Sequence, residues 1–503
     1  MKIFTSDQIK EIDQQTIKKE PILSLNLMER AANQLFEFID ENFDQDVPVT
    51  LFAGPGNNGG DAVALARILA DEDYQSHLYL IKIGNKRSPD CEANINRLID
   101  NPGVQVHELT EENEFPTIPG SHLLVEGIFG SGLTRPAEGW PAKVINFINE
   151  LPNPVMSIDI PSGLFSEDNR DNHGAIIRAD FTVSFEFPKL AFMIPENEQY
   201  VGEWEARSIG LLPEAIAEHQ TEFFYTTDDD LPFLQFRDKF AHKGHFGHAL
   251  LVAGSFGKTG AAVLAAKACI RSGSGLLSIH IPQFSYSIMQ SCVPEAMLVI
   301  DETEQIYCQK DHLEPYSVVG AGPGIGQKKS MKEALQTLIH NTETLMVLDA
   351  DALNIIGQER NLLDILPEET ILTPHPKEFD RLTEPHNNQF ERIESARKLA
   401  KQYKINVVLK GAHSAVIDIY GQVHFNSTGN PAMAKGGSGD VLTGIILGLV
   451  SSGYKPFDAA RLGVFVHGRA ADIALEDQSE ESLIATDMIN CLGPAYKSIR
   501  VLQ

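Results

Sequence analysis

Two short runs in the 503-residue chain gather glycine, carboxamide and carboxylate residues in patterns suited to anion chemistry. The first is Gly54-Pro-Gly56-Asn57-Asn58-Gly59-Gly60-Asp61, set between the apolar stretch VTLFA and the amphipathic stretch AVALARILA. Backbone N–H groups freed by Gly56, Gly59 and Gly60 can converge on a phosphate at the positive end of the helix that follows. A tight turn needs glycine for steric reasons as well, but a mere turn does not require Asn57, Asn58 and Asp61 together. The second run is Asn430-Pro-Ala-Met-Ala-Lys435-Gly-Gly437-Ser438-Gly439-Asp440, which opens the apolar stretch VLTGIILGLV. Its amides can stabilise charge on a phosphoryl group in transfer, and Asp440 stands where it can take a proton from an attacking hydroxyl.

Such groups act together only if strands and helices deliver them to one place. From Val47 to Gly210 the chain repeats an apolar β-rich run, a glycine turn and an amphipathic helix, through VPVTLFAG, SHLYLIKIG, HLLVEGIFG, PVMSIDIPSG and FTVSFEFP. That alternation predicts a doubly wound parallel sheet covered on both faces, a Rossmann-like three-layer α/β/α sandwich. Its strand ends carry Glu126 and Gly130 to Leu133, Asp159 with Ser162, and Lys189. The carboxyl ends of such strands share one edge, so these residues can meet the asparagines in a single crevice. Upstream, SDQIKEIDQQTI reads as a capped helix.

Polar and acidic residues dominate LLPEAIAEHQTEFFYTTDDDLP, and a second series of strands follows: HALLVAGS, LLSIHIP, YSVVGAGPG, LMVLDADA, TILTPHP and NVVLKGAHSAVID. The division expected is a first domain over 1–216, a linker over 217–230 and a larger α/β domain over 231–503.

Composition narrows the function classes. A formal charge of −28 disfavours nucleic-acid partners, whose affinity depends on clustered Lys and Arg. No apolar run reaches the roughly 18 residues of a membrane span, and the N-terminus lacks a secretory apolar core, so a cytoplasmic location is expected. Cys91, Cys269, Cys292, Cys308 and Cys491 form no CxxC pair, which leaves reduced structural thiols as the simplest reading. His242, His245 and His248 sit at a KGxxG strand entrance without the spacing of a zinc helix.

GPGNNGGD followed by FGSGL, DIPSG and the PKLA lysine, with LMERA upstream, closely resembles the NAD(P)H-hydrate epimerase domain. The resemblance implies that Asn57, Asn58, Gly59, Gly60 and Asp61, with Gly130, Ser131, Gly132, Leu133, Thr134, Arg135 and Pro136, cradle a hydrated dinucleotide together with Asp159. It also implies that Asn58, Glu126 and Ser162 give oxygens to K+, and that Asp159 and Lys189 are the acid/base pair. That family usually carries Asp at the position of Glu126 and Gly at that of Ala62.

GGSGD resembles the ribokinase-like fold, and KGHFG, the Gly260-Ala261-Ala262 turn, GPGIG, DADALN, TPHPKE and LKGAHS in that order resemble the ADP/ATP-dependent NAD(P)H-hydrate dehydratases. By that resemblance Lys410, Gly411, Ala412, His413 and Ser414, with Asn430, Gly437, Ser438 and Gly439, hold the nucleotide. Ala261, Ala262, Gly324, His375 and Asp440 would face the hydrate, with Asp440 catalytic and Mg2+ accompanying ADP. His375 either touches substrate or closes a turn between two prolines, and Lys258 stands where relatives often have Tyr.

Together the resemblances imply a bifunctional NAD(P)H-hydrate repair enzyme, an isomerase joined to a hydro-lyase. One half would interconvert the R and S hydrates of NADH and NADPH; the other would dehydrate the S form at the expense of ADP, giving AMP and phosphate. A homo-oligomer is expected. The rival reading is a small-molecule kinase of the ribokinase-like type with a non-catalytic N-terminal binding or dimerisation domain.

Overall fold

The computed structural model describes residues 1–98, 101, 103–301 and 313–502. Cys308 lies outside them. The chain divides into two compact units between Thr221 and Glu222.

The N-terminal unit is built on a seven-stranded sheet in the spatial order Val104–Leu109, Ser76–Ile81, Val49–Ala53, Leu123–Gly127, Val155–Ile158, Phe181–Phe185, Glu203–Arg207. Every pairing is parallel. The chain starts at Val49–Ala53, winds outward one way, then returns to Leu123–Gly127 and winds the other way. The carboxyl ends of those two adjacent strands are therefore a topological switch point, where neighbouring loops diverge and leave a crevice. Val49–Ala53 and Leu123–Gly127 are buried along their whole length, as strands covered on both faces must be.

In the C-terminal unit the order is Met297–Asp301, Leu276–Pro282, His248–Val252, Val318–Ala321, Leu345–Leu348, Ile371–Leu372, Asn406–Leu409, Ala415–Ile417, Val423–Asn426, Phe223–Thr226. The pairing is parallel through Asn406–Leu409, antiparallel on either side of Ala415–Ile417, and parallel again to Phe223–Thr226. Its switch point flanks His248–Val252. There Gly254 N–H donates to the Pro323 carbonyl at 2.8 Å and Ser255 Oγ to the Gly324 carbonyl at 2.6 Å, tying two diverging loops together.

The segment expected to be a linker, 217–230, is structured. Pro213–Glu218 is helical, and Phe223–Thr226 pairs in register with Val423–Asn426. The acidic residues around FFYT obscure a short aromatic run that covers an otherwise open sheet edge.

Candidate active sites

In the N-terminal unit a cavity of about 600 Å³ opens at the switch point, lined among others by Asn57, Asn58, Asp61, Gly130 to Leu133 and Asp159. Asn58 donates through Nδ2 to the carbonyls of Phe129 and Ile158 at 2.9 and 3.0 Å, which binds the first glycine turn to the ends of the strands Leu123–Gly127 and Val155–Ile158. Ser131 is fixed in turn, its carbonyl accepting from Ser6 Oγ at 2.7 Å and Ser166 Oγ at 3.0 Å.

Asp159 lines this crevice and is paired with Lys189, which does not. Lys189 Nζ donates to Asp159 Oδ1 at 2.7 Å, to Ser184 Oγ at 2.9 Å and to the Phe187 carbonyl at 3.1 Å, so all three ammonium protons are directed. The lysine is 1% exposed. Asp159 holds a left-handed φ of 63°, a strained setting for a non-glycine residue that aims its carboxylate back across the strand end.

Glu126 is fully buried and makes no ion pair among the described residues. Its Oε1 accepts from Ser157 Oγ at 2.6 Å and Ser162 N–H at 2.9 Å, and Oε2 from Ile128 N–H at 3.3 Å. Burial nonetheless pushes its carboxyl above the ordinary range, the hydrogen bonds working against that rise. Among the described residues this carboxyl has no basic partner and Asn58 Oδ1 has no hydrogen-bond donor, its Nδ2 being committed, an arrangement that suits a monovalent cation. Ser162 Oγ is occupied by Phe129, donating to its carbonyl at 3.0 Å and accepting from its N–H at 2.7 Å.

The glycines divide differently from the sequence expectation. A methyl group on Gly59 would fall 1.8 Å from the Gly54 carbonyl oxygen and one on Gly60 2.8 Å from the Met28 side chain, and Gly60 N–H is spent on the Gly56 carbonyl at 3.0 Å. Both serve close helix packing, and neither lines the cavity. Gly56 does line it, with open space where a side chain would be. Thr134, Arg135 and Pro136 continue the loop past the lining residues.

The structure adds Asp13 to the predicted set. It sits on the helix Ser6–Lys19, where Ser6, Ile9, Lys10 and Asp13 share one stripe and form a wall of the cavity. On a polar helix an aspartate reads as a solvated surface residue, so the sequence carries no signal for it.

In the C-terminal unit, strand ends bring Asp349, His375 and Lys410 to the edge faced by the helix Ser438–Ser451. Lys410 Nζ donates to Asp349 Oδ1 at 2.9 Å, and Thr443 Oγ1 donates to Asp349 Oδ2 at 2.6 Å. Gly439 abuts this pair: a methyl group there would stand 3.4 Å from Lys410 Nζ. Asp440 makes no side-chain hydrogen bond among the described residues. Burial first, then repulsion from Asp349, raises its carboxyl to about 6. Gly437 takes a φ of 96° at the helix start, a conformation that favours glycine.

Other predicted residues are placed as follows. His375 caps the helix Pro376–Leu382, its Nδ1 accepting from the amides of Lys377 and Glu378 at 3.2 and 3.3 Å, and burial lowers its basicity. The turn-closing role is thus present. Ser414 Oγ closes the Lys410 loop, accepting from Gly411 N–H at 3.2 Å, with Gly411 and Ala412 exposed. His413 Nδ1 contacts the Asn426 carbonyl at 3.0 Å, and Asn430 Nδ2 donates to Asp472 at 2.9 Å. Ser438 Oγ lies 3.3 Å from His467 Nε2, whose ring burial drives down to about 4. Ala261 approaches Gly324, whereas Ala262 is buried against Gly254. Lys258 pairs with Asp351 at 3.0 Å, and Asp351 also accepts from Gly326 N–H at 2.9 Å and Gln327 Nε2 at 3.0 Å.

Comparison with known proteins follows the same division. Residues 24–191 match the family described as YjeF-related protein N-terminus, and residues 249–493 match that described as NAD(P)H-hydrate dehydratase. The bifunctional NAD(P)H-hydrate repair enzyme Nnr of Moorella thermoacetica is 32% identical over 99% of this chain and 97% of its own. Its namesake from Escherichia coli is 29% identical over 97% and 93% respectively. Among solved structures, a ribokinase-like superfamily protein from Enterococcus faecalis aligns with a TM-score of 0.50 at 23% identity, covering 56% of this chain and 98% of that one. No helix among the described residues is long and apolar enough to cross a membrane.

Proposed function

The chain belongs to the family of bifunctional NAD(P)H-hydrate repair enzymes, and on that premise we propose how its own residues divide the repair of hydrated NADH and NADPH. The N-terminal unit, up to Thr221, interconverts the R and S hydrates; the C-terminal unit, from Glu222, returns the S hydrate to the dihydronicotinamide, consuming ADP. The observation that carries the reading is the buried Lys189–Asp159 pair, whose aspartate lines a crevice large enough for a nucleotide. A domain retained only for binding or dimerisation has no use for a lysine so expensively desolvated.

At the epimerase site Asn57, Asn58, Gly56 and the loop Gly130 to Leu133 bind and orient the dinucleotide. Asp159 exchanges a proton with the ring hydroxyl, and Lys189 holds the carboxylate in place. K+ would be held by Glu126, Asn58 and Ser162, supplying fixed positive charge near the bound phosphates. Ser162 Oγ, which accepts from Phe129 N–H and donates to the Phe129 carbonyl, keeps its second lone pair for such an ion.

At the dehydratase site the ring hydroxyl is a poor leaving group. Asp440 takes its proton as the oxygen attacks the terminal phosphoryl of ADP, the P–O bond to AMP breaks and AMP leaves, and phosphate then departs from the ring with its C–O electron pair as a neighbouring ring proton is lost to water. The Lys410 loop, Gly437 and Gly439 bind the nucleotide. Mg2+ would arrive on the phosphates of ADP and supply positive charge there, which leaves Asp440 to act as the base.

A kinase with an inert N-terminal half is not favoured by relatives that match both halves end to end. The reading includes a cytoplasmic homo-oligomer, its assembly measurable by light scattering. The functional test mixes both hydrate epimers with the protein, Mg2+ and K+, with and without ADP, and follows dihydronicotinamide absorbance. Full ADP-dependent recovery, faster than spontaneous epimerisation, is expected. Recovery that stops when the S epimer is exhausted removes the epimerase, and a stable phosphorylated product would restore the kinase.

A further inference from the structure

Epimerisation at a hydroxyl-bearing carbon beside a ring nitrogen needs proton transfer on both faces of the ring. On one face an acid gives its proton to the hydroxyl, the C–O bond breaks with its electron pair leaving on oxygen, and water departs. The ring nitrogen's lone pair stabilises the resulting cation. Water then adds to the other face, a new C–O bond forms, and the surplus proton passes to a base there. The Lys189–Asp159 pair furnishes one such group. A second must stand on a different wall, and in its acid form when Asp159 is a carboxylate.

Resting on the epimerase reading above, we propose that Asp13 is this second proton-transfer residue, acting from the helix Ser6–Lys19 on the ring face opposite Asp159. Its stripe on that helix forms a wall of the cavity that Asp159 also lines. Asp13 makes no side-chain hydrogen bond among the described residues, which leaves its carboxyl free for a ligand. The charged groups around it are Asp7 and Lys10 on its own helix, Asp61 from the first glycine turn, and Asp159, Glu186 and Lys189 from the sheet. Burial, reinforced by Asp159 and Glu186 and opposed by Lys189, brings its carboxyl to about 7, so that near neutrality it can both hold and release a proton. Asp61, deeper in the same crevice, has its carboxyl pushed well above the ordinary range by burial and by the nearby Asp159 and Asp13. After one turnover the proton has moved from Asp13 to Asp159. Reverse turnover, or exchange through crevice water, resets the pair.

The test uses the full chain and the purified R hydrate. Asp13→Asn keeps shape and removes the titrating proton; epimerisation kcat is expected to fall by about 10²- to 10⁴-fold, with KM within about threefold, as a binding residue would not do. The ADP-dependent dehydration of the S hydrate by the same preparation should be unchanged, which also reports folding. Wild-type epimerisation from R to S should decline as pH rises through about 7, and Asp13→Glu should recover part of the rate together with a shifted decline. An Asp13→Asn enzyme with near wild-type kcat and an unaltered pH profile overturns the role of Asp13 and leaves the epimerase intact. A wild-type chain that does not accelerate epimerisation overturns both. Should Asp13→Asn fail to fold, the absence of the alkaline decline in the wild type overturns the proposal by itself.

Discussion

Lys189 Nζ lies 2.7 Å from Asp159 Oδ1, and this contact joins the end of one strand to the loop after the next at a position where the lysine is 1% exposed. A buried cation and a buried carboxylate in such a place depend on each other. Lys189→Met is therefore expected to slow epimerisation by about 10²- to 10⁴-fold. It should also destabilise the N-terminal unit by about 3–5 kcal/mol, because a carboxylate is left buried without its counter-charge. Dehydration of purified S hydrate should persist, so recovery from a mixture of epimers would proceed at once for one and only spontaneously for the other. Stopped-time chromatography of the two epimers and a thermal melt distinguish the two effects.

Glu126 carries a second prediction. It is buried without a basic partner among the described residues, and its oxygens accept from Ser157 Oγ and from the amides of Ser162 and Ile128. If it serves K+, epimerisation should rise with added KCl more than with LiCl at equal ionic strength, and Glu126→Gln should abolish that difference. Glu126→Asp, which shortens the arm by one methylene, tests whether the longer side chain sets affinity: the KCl midpoint should move while the saturated rate stays within about threefold. Equal rates in both salts for the wild type would remove potassium from the site.

The dehydratase makes opposite demands on rate and stability. Asp440 is raised to about 6 by burial and by Asp349, and as a base it works only when ionised. The rate should climb with pH through about 6 and then level, and Asp440→Asn should lower it by about 10²- to 10⁴-fold at every pH. Stability runs the other way. A carboxyl raised in the folded state stabilises the fold below its unfolded value of 3.8, and that contribution is lost as pH rises through about 6. The upper bound is roughly 3 kcal/mol. Asp440→Asn should accordingly melt higher than wild type at about pH 8 and no higher at about pH 4. A pH-independent difference would mean the carboxyl is not strained by ionisation.

Strands buried on both faces, such as Val49–Ala53 and Val318–Ala321, announce themselves as apolar runs, and the site residues at their ends follow from topology. Val104–Leu109 and Glu203–Arg207 close the edges of the N-terminal sheet and Met297–Asp301 an edge of the C-terminal one; half-exposed, they carry mixed residues and leave no such trace. The same physics hid Phe223–Thr226 within its acidic surroundings. Asp13 was invisible for a different reason. Nothing in the spacing of SDQIKEIDQQTI tells which face of a polar helix meets a cavity rather than solvent; only the packing of Ile12 and Thr16 on the other side decides it.

The first glycine run offers a test of that distinction between packing and binding within a few residues. Gly59→Ala would drive a methyl group to 1.8 Å from the Gly54 carbonyl oxygen, a contact with backbone on both sides, so the helix Asn57–Asp71 must move off its strand. Overpacking of this kind typically costs about 1–3 kcal/mol, more where backbone has to shift. The variant should unfold at lower temperature or lower urea, and any loss of epimerisation should track the loss of folded protein. Gly56→Ala is the contrast. Its φ of −85° suits any residue, nothing lies within 4 Å of the added methyl, and the position faces the cavity. Its melting point should stay within a degree or two of wild type while KM for the hydrate rises, since the methyl occupies space the dinucleotide needs. If Gly56→Ala destabilised the fold and Gly59→Ala altered only KM, the assignment of the two glycines would be reversed.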